Sequence, residues 1–302
     1  MNDQTIIISA STGIYKYALT SNALEKLIGC QSADGKTTDS FGYFGLSKDC
    51  KNGKIYFASR EKGEKIFKKK KSSATTIYSL NKFTNSIDYV KKFKGIEDVH
   101  QIALDEKNFY LTDTGRNRIW VQDRLLEQPP EVWNIGWRRK DLNHINSIAL
   151  YNGHLMIGLN NRGRNSEIVM LPDLSERRSS RFFPIKAIAK WPLSEITHTH
   201  DMELSANYLF FCASHEGVLY RLDINSDVGR PVPVIHSEPW LRGIAVQGKI
   251  CWVGVSQVAD RTERYSADRT AKIIECSLET GTLLNEYKLG NIGQINDMCL
   301  SG

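Results

Sequence analysis

The chain has 302 residues, 41% hydrophobic and 25% charged, ordinary values for a globular protein with a core, and they exclude wholesale disorder. A formal charge of +6 is too weak by itself to mark a nucleic-acid binder. No apolar run approaches the roughly 20 residues that cross a bilayer, and the opening MNDQTIIISAST lacks the basic and apolar regions of a signal peptide. The expectation is a cytoplasmic protein with no membrane span.

Taken in chain order, one pattern recurs: an apolar strand, a tight turn, a second strand ending in small polar residues, and a third strand. Residues 5–19, TIIISASTGIYKYAL, supply two strands. GYFGLSKDCKNGKIYFASR (42–60) and TTIYSL (75–80) form a looser copy around a Lys-rich insert. HQIALDEKNFYLTDTGRNRIWVQD (100–123) is the clearest copy, and further copies begin at Asn146, His200 and Arg242. The terminal INDMCLSG reads as a first strand whose partners lie at the N-terminus. A period of about 40 to 60 residues with period-2 alternation is the signature of propeller blades. Asn52-Gly53, Asn152-Gly153 and Gln247-Gly248 are candidate hairpin turns, because Asn and Gly tolerate positive φ. Pairing the last strand with the first closes the ring and hides its free edges. The expectation is therefore an all-β, six-bladed β-propeller formed by one domain over residues 1–302, with no need to oligomerise.

The segment FYLTDTGRNRIWVQD (109–123) resembles the NHL-type propeller repeat, in which an Asp-Thr-Gly turn precedes Asn-Arg-Ile and an apolar strand. That resemblance implies the fold and says little about activity. The six copies together resemble, more distantly, the gluconolactonase/regucalcin-like hydrolases and the strictosidine-synthase-like proteins. The stretch from WLRGIAV (240–246) onward is similar to a group of bacterial propellers without an assigned activity. Gluconolactonase-like propellers hold a divalent ion with axial Glu, Asn and Asp. Asn146 falls where such an Asn is expected, but Gly42 and His200 stand in place of the acids. The departure argues against an all-oxygen, hard-cation site.

Inner strands of a propeller run along its axis, so residues at their starts converge from distant parts of the chain. Registered on the apolar pair that follows, these positions read Gly42-Tyr43, His100-Gln101, Asn146-Ser147, His200-Asp201, Arg242-Gly243 and Asn296-Asp297, with His144 and His198 next door. Any water-filled channel carries some polar residues. A matched ring of imidazoles, a guanidinium, amides and carboxylates nevertheless calls for a ligand, an ion or a water cluster.

Three readings stay open. In the first, His100, His144 and His200 hold a divalent metal such as zinc, iron or copper. In the second, His100 or His200 acts as a general acid or base, oriented by Asp201 or Asp297, while Arg242 holds an anion. This layout suits a lyase, cyclase or hydrolase, and virginiamycin-B-lyase-like propellers are an architectural analogy. In the third, the propeller binds a small ligand or a protein partner without catalysis. His100, His200 and Arg242 are the expected catalytic groups, with Tyr43, Asn146, Asp201, Asn296 and Trp240 for binding and Trp137 as a further rim aromatic.

Other features carry less. Phosphate-binding loops and the G-x-S-x-G elbow are missing from the sequence. Asp113 belongs to the repeat and reads as structural, His215-Glu216 as a turn, and His154 and His236 as turn and linker residues. Lys65–Ser73 (KIFKKKKSS) reads as a solvated insert, so nucleic acid is disfavoured. Gln257–Lys272 is either a flexible hairpin tip or a lid. Four of the six cysteines sit inside strand-like runs and none forms a CxxC pair, which suits a reducing compartment.

Overall fold

The computed structural model describes residues 4–29, 40–61, 74–135, 141–172, 186–226, 229–260, 263 and 266–302. Trp137, Cys30, the Lys65–Ser73 insert and part of the Gln257–Lys272 insert lie outside the described residues.

Among the described residues, twenty-four strands form six four-stranded antiparallel sheets. One blade holds β1 (Thr5–Ala10), β2 (Gly13–Ala18) and β3 (Ala23–Gly29). The next four-strand runs are β4–β7 (Ser40–Asp49, Lys54–Glu61, Ala74–Asn81, Ile87–Lys94) and β8–β11 (Ile102–Leu104, Asn108–Asp113, Arg118–Asp123, Glu131–Asn134). They are followed by β12–β15 (Ile145–Tyr151, His154–Leu159, Glu167–Met170, Ala189–Pro192) and β16–β19 (Thr199–Ser205, Tyr208–Ala213, Val218–Asp223, Val232–His236). The last run is β20–β23 (Leu241–Gln247, Ile250–Ser256, Thr270–Ser277, Leu283–Asn291). The final strand, β24 (Ile295–Leu300), pairs with β1, Ile6 opposite Leu300 and Ile8 opposite Met298. The C-terminal strand thus closes the ring on N-terminal strands, as the split repeat implies. No helix of the described residues is long and apolar enough to cross a membrane.

Period-2 alternation builds the core. Successive side chains of a strand point to opposite faces, and each face of a blade meets a different neighbour. Ile6 and Ile8 face the β20–β23 blade, where they join Ala245, Trp252 and Ile273. Ile7, between them, joins Phe57 and Ile55 of the β4–β7 blade. Four equivalent clusters fill the remaining blade boundaries. Each fully buried Ile contributes about 1.5–3 kcal/mol, so six separate hydrophobic seams hold the ring.

The turns follow the expectation in part. Asn152 and Gly153 both take positive φ, 48° and 79°, as a two-residue hairpin requires. At Asn52-Gly53 only the glycine does (φ 62°), because the loop is longer and the Asp49 carboxylate accepts from the Lys51 and Asn52 amides.

A candidate active site on the propeller axis

Equivalent positions at the starts of the six inner strands form two rings, most of whose side chains line one cavity. The deeper ring is Phe44, His100, Asn146, His200, Arg242 and Asn296. Two residues earlier in each copy stands the outer ring, Gly42, Asp98, His144, His198, Trp240 and Gln294. Five of these six take left-handed φ, from 49° at His144 to 108° at Gly42. Such values are costly for non-glycine residues and cluster where the surrounding fold enforces them. The residue between the rings faces a blade boundary, as Ile145 and Leu241 do.

The register of the first copy is a correction. Gly42-Tyr43 is two residues out, and the equivalent pair is Phe44-Gly45. The bulge of β4 falls between Phe44 and Leu46, as that of β20 falls between Arg242 and Ile244. Gly45 (φ 58°) and Gly243 (φ 78°) occupy the bulges. A Cβ on Gly45 would sit 2.5 Å from the Ile102 nitrogen, so only glycine lets the inner strands approach so closely.

The cavity has a volume of about 310 Å³ and is lined by Phe44, Arg60, Asp98, His100, His144, Asn160, Arg162, His198, His200, His215, Arg242, Gln294 and Asn296. Five of the chain's seven histidines therefore converge here. His100, His200, Arg242, Asn296 and His144 are among the lining residues. Tyr43, Asn146, Asp201 and Trp240 are not. The Tyr43 ring packs edge-on against Phe57, 5.7 Å between centroids, in a blade-boundary cluster. Trp240 is buried behind His215, whose centroid lies 5.0 Å away. Asp201 and Asp297 do not orient a histidine. Asp201 accepts from the Gly243 amide at 2.9 Å and Asp297 from the Leu46 amide at 2.7 Å, each in the next blade. Gln101 does the same to Ile148 at 2.7 Å. These carboxylates and this amide latch neighbouring blades. Burial pushes Asp201 up to about 6 and raises Asp297 further, with the Asp201 charge adding to it.

His200 is held from both ends. Asn146 Nδ2 stands 3.1 Å from His200 Nδ1, and Arg242 Nη2 stands 3.2 Å from Nε2. His100 Nδ1 lies 3.0 Å from the Asp98 carbonyl, 2.9 Å from Thr114 Oγ1 and 3.1 Å from Arg60 Nη2. The Thr114 hydroxyl spends its proton on the Ile145 carbonyl, so Nδ1 faces two oxygen acceptors and one guanidinium donor. Burial and the Arg60 guanidinium hold His100 well below the usual imidazole range. Burial and Arg242 do the same to His200. Both rings are neutral at physiological pH.

Several lining groups escape the repeat pattern. Arg60 is buried, lies 3.7 Å from the Phe44 ring centroid, and pairs with Asp98 at 2.5 Å. Its one trace in the sequence is a charged residue ending the strand IYFASR. His144 Nδ1 contacts Asp141 at 3.0 Å, and Arg162 binds the same carboxylate. Burial opposes ionisation of Asp141, yet His144 and Arg162 together hold it below its usual range. The spacing of Asp141 and His144 by three residues is the signal that could have found this pair. Asn160 and Gln294 complete the wall. His154 contacts the Leu171 carbonyl, and His236 is exposed in β19, both away from the cavity.

A divalent metal does not suit these residues. His200 Nε2 points at a guanidinium, the His100 and His144 Nδ1 atoms are engaged with protein oxygens, and Arg60 and Arg242 would repel a cation. Among the described residues no three His, Cys, Asp or Glu side chains converge as a ligand group.

No family model and no curated protein matches the sequence. Solved structures do. A chain of the nidogen/laminin complex superimposes with a TM-score of 0.70 at 12% identity, over 99% of this chain and 98% of that one. The periplasmic gluconolactonase of Pseudomonas aeruginosa gives 0.61 at 10% identity, over 98% of each. At such identities the likeness is one of fold. The chain is a six-bladed β-propeller carrying an NHL-like repeat, closed by its own C-terminal strand.

Proposed function

We propose that the axial cavity is the active site of a hydrolase acting on a small, oxygen-rich, polar or anionic molecule. The observation that carries this reading is the meeting, in one cavity, of a neutral His100 with the His200–Arg242 pair; with its proton on Nδ1, toward the Asp98 carbonyl and Thr114 Oγ1, His100 turns an Nε2 lone pair to the cavity. A gluconolactonase shares the fold, which makes cyclic esters the first substrates to try. His100 takes a proton from water as the water oxygen bonds to the ester carbonyl carbon. The carbon–oxygen bond to the leaving group then breaks, and the leaving oxygen recovers that proton from His100, giving the hydroxy acid. His200 and Arg242 donate to the substrate's oxygens. His144, with its centroid 5.3 Å from that of His100 and its Nδ1 on Asp141, stands between this base and the mouth.

No step uses a metal, in keeping with the donor set. The test is turnover of a panel of sugar lactones and small esters by the purified protein. His100→Ala, His200→Ala and Arg242→Ala should each abolish turnover at an unchanged melting temperature. Binding without turnover is the second reading, and the low basicity of His100 favours it. Ligand-induced thermal shifts without consumption of any ligand would select it.

A further inference from the structure

The tautomer of His200 follows from its neighbours. Asn146 Oδ1 accepts from Ser147 Oγ at 3.2 Å, and its Nδ2 donates to the Thr199 carbonyl at 2.6 Å. The amide therefore cannot be reversed, and its second hydrogen points at His200 Nδ1. The amide is pinned to the Thr199 carbonyl whereas the Arg242 guanidinium borders the cavity, so Nδ1 takes the accepting role. A neutral imidazole carries one N–H, and burial beside Arg242 keeps this ring neutral, so the proton sits on Nε2.

Nε2 in turn faces Arg242 Nη2 at 3.2 Å, and a guanidinium only donates. The guanidinium is fixed from its far edge: the Gln294 amide, with its oxygen turned to the arginine, accepts from Nε at 3.0 Å and Nη1 at 2.9 Å. Two rigid donors thus confront each other on the cavity wall, and one of them is a buried cation. An oxygen anion lodged against both converts the confrontation into two charge-assisted hydrogen bonds.

We propose that His200 and Arg242 form a seat for a permanent oxyanion, so that the molecule taken by the cavity is a small carboxylate or phosphate. This rests on the cavity reading above but commits to a charge carried in the ground state. A site meant only for charge developing during reaction would discriminate little between an acid and a neutral polyol. The volume of about 310 Å³ is at the lower end for small-molecule pockets and suits a metabolite-sized acid. Seating the anion on the Arg242 side leaves the rest of the molecule to cross toward His100, whose ring centroid is 6.3 Å from that of His200.

The test is calorimetric titration of the full chain, untagged and at low salt, with D-gluconate, inorganic phosphate and neutral sorbitol. Gluconate or phosphate should bind at least about tenfold tighter than sorbitol, and the better of the two identifies the anion. Arg242→Met should remove about tenfold in that affinity, with partial rescue by Arg242→Lys. Nitrogen-15 shifts of the wild-type histidines should place the His200 proton on Nε2 and move on adding the anion, a readout that needs no variant. Sorbitol binding as tightly as gluconate, an affinity indifferent to Arg242→Met, or a proton on Nδ1 would each overturn the seat. Anion binding without turnover of any lactone would sink the hydrolase reading alone, whereas turnover of neutral lactones with no preference for anions would sink the seat alone.

Discussion

Asn146 Nδ2 donates to the Thr199 carbonyl at 2.6 Å and stands 3.1 Å from His200 Nδ1, so one amide latches two blades and reaches an imidazole of the cavity. Asn296 repeats half of this arrangement, donating to the Tyr43 carbonyl at 2.9 Å. Asn146, expected to touch substrate, does not line the cavity, and in the proposed reaction its influence runs through His200.

Asn146→Leu separates the two roles. Loss of the latch should cost about 1 kcal/mol, a drop of about 2–4 °C in melting temperature. Turnover should fall much further, by about tenfold or more, because Nδ1 loses the donor that sends the proton to Nε2. Parallel melts and kcat/KM measurements decide this. An activity loss no larger than the stability loss would reduce Asn146 to a latch.

Glu203, on the inner strand β16, is pushed up to about 7 by burial. Its folded pKa exceeds its unfolded value of about 4.3, so its contribution is fully present below that value and is lost as pH rises through 7. The depressed His100 and His200 act in the opposite sense, since the unfolded chain takes up protons below about 6.5. Glu203→Gln should match the wild type near pH 4–5 and exceed it by pH 8. The gain should reach up to about 4 kcal/mol, since each pH unit separating the folded and unfolded values is worth about 1.4 kcal/mol. Melting curves of both proteins across this range give the answer, and a constant difference would contradict the assignment.

Asp113, from the NHL-like turn, accepts from the Glu97 amide at 2.8 Å and from Trp120 Nε1 at 3.1 Å. Burial pushes it up to about 6. Asp113→Ala strands two donors, at about 1–3 kcal/mol for each group left unsatisfied, and should lower the urea midpoint clearly. Turnover and anion affinity per folded molecule should stay at wild-type levels, since Asp113 lies outside the cavity lining.

Dialysis against a strong chelator should alter neither the melting temperature nor turnover, because the cavity sets its imidazoles beside the Arg60 and Arg242 guanidinia, which repel a cation. A loss of activity restored by zinc or calcium alone would return the metal reading to first place.

The blades were legible because each is built locally. Alternating apolar residues such as Ile6, Ile7 and Ile8 announce a strand buried on both faces, and INDMCL, an unpartnered strand at the C-terminus, announces how the ring closes. The cavity lining was legible only where repeat positions could be compared across copies, which picked out His100, His144, His200, Arg242 and Asn296. It failed at FGYFGL, where two glycines offer two registers and only the close approach of Gly45 to Ile102 selects the second. Arg60 and Asp141 lie off the aligned positions, so no comparison of copies could reach them.

The sequence by itself determined the repeat, the count of blades and the axial position of the imidazoles, because short-range periodicity and turn chemistry specify strands and hairpins. Only the tertiary structure decided which polar groups face the cavity and which latch the blades. Asp201 and His200 are adjacent on one strand, yet a bulge with left-handed φ at Asp201 sends its carboxylate to the Gly243 amide and leaves the imidazole to the cavity. That division depends on how closely neighbouring inner strands approach, a distance set by side chains far apart in the chain.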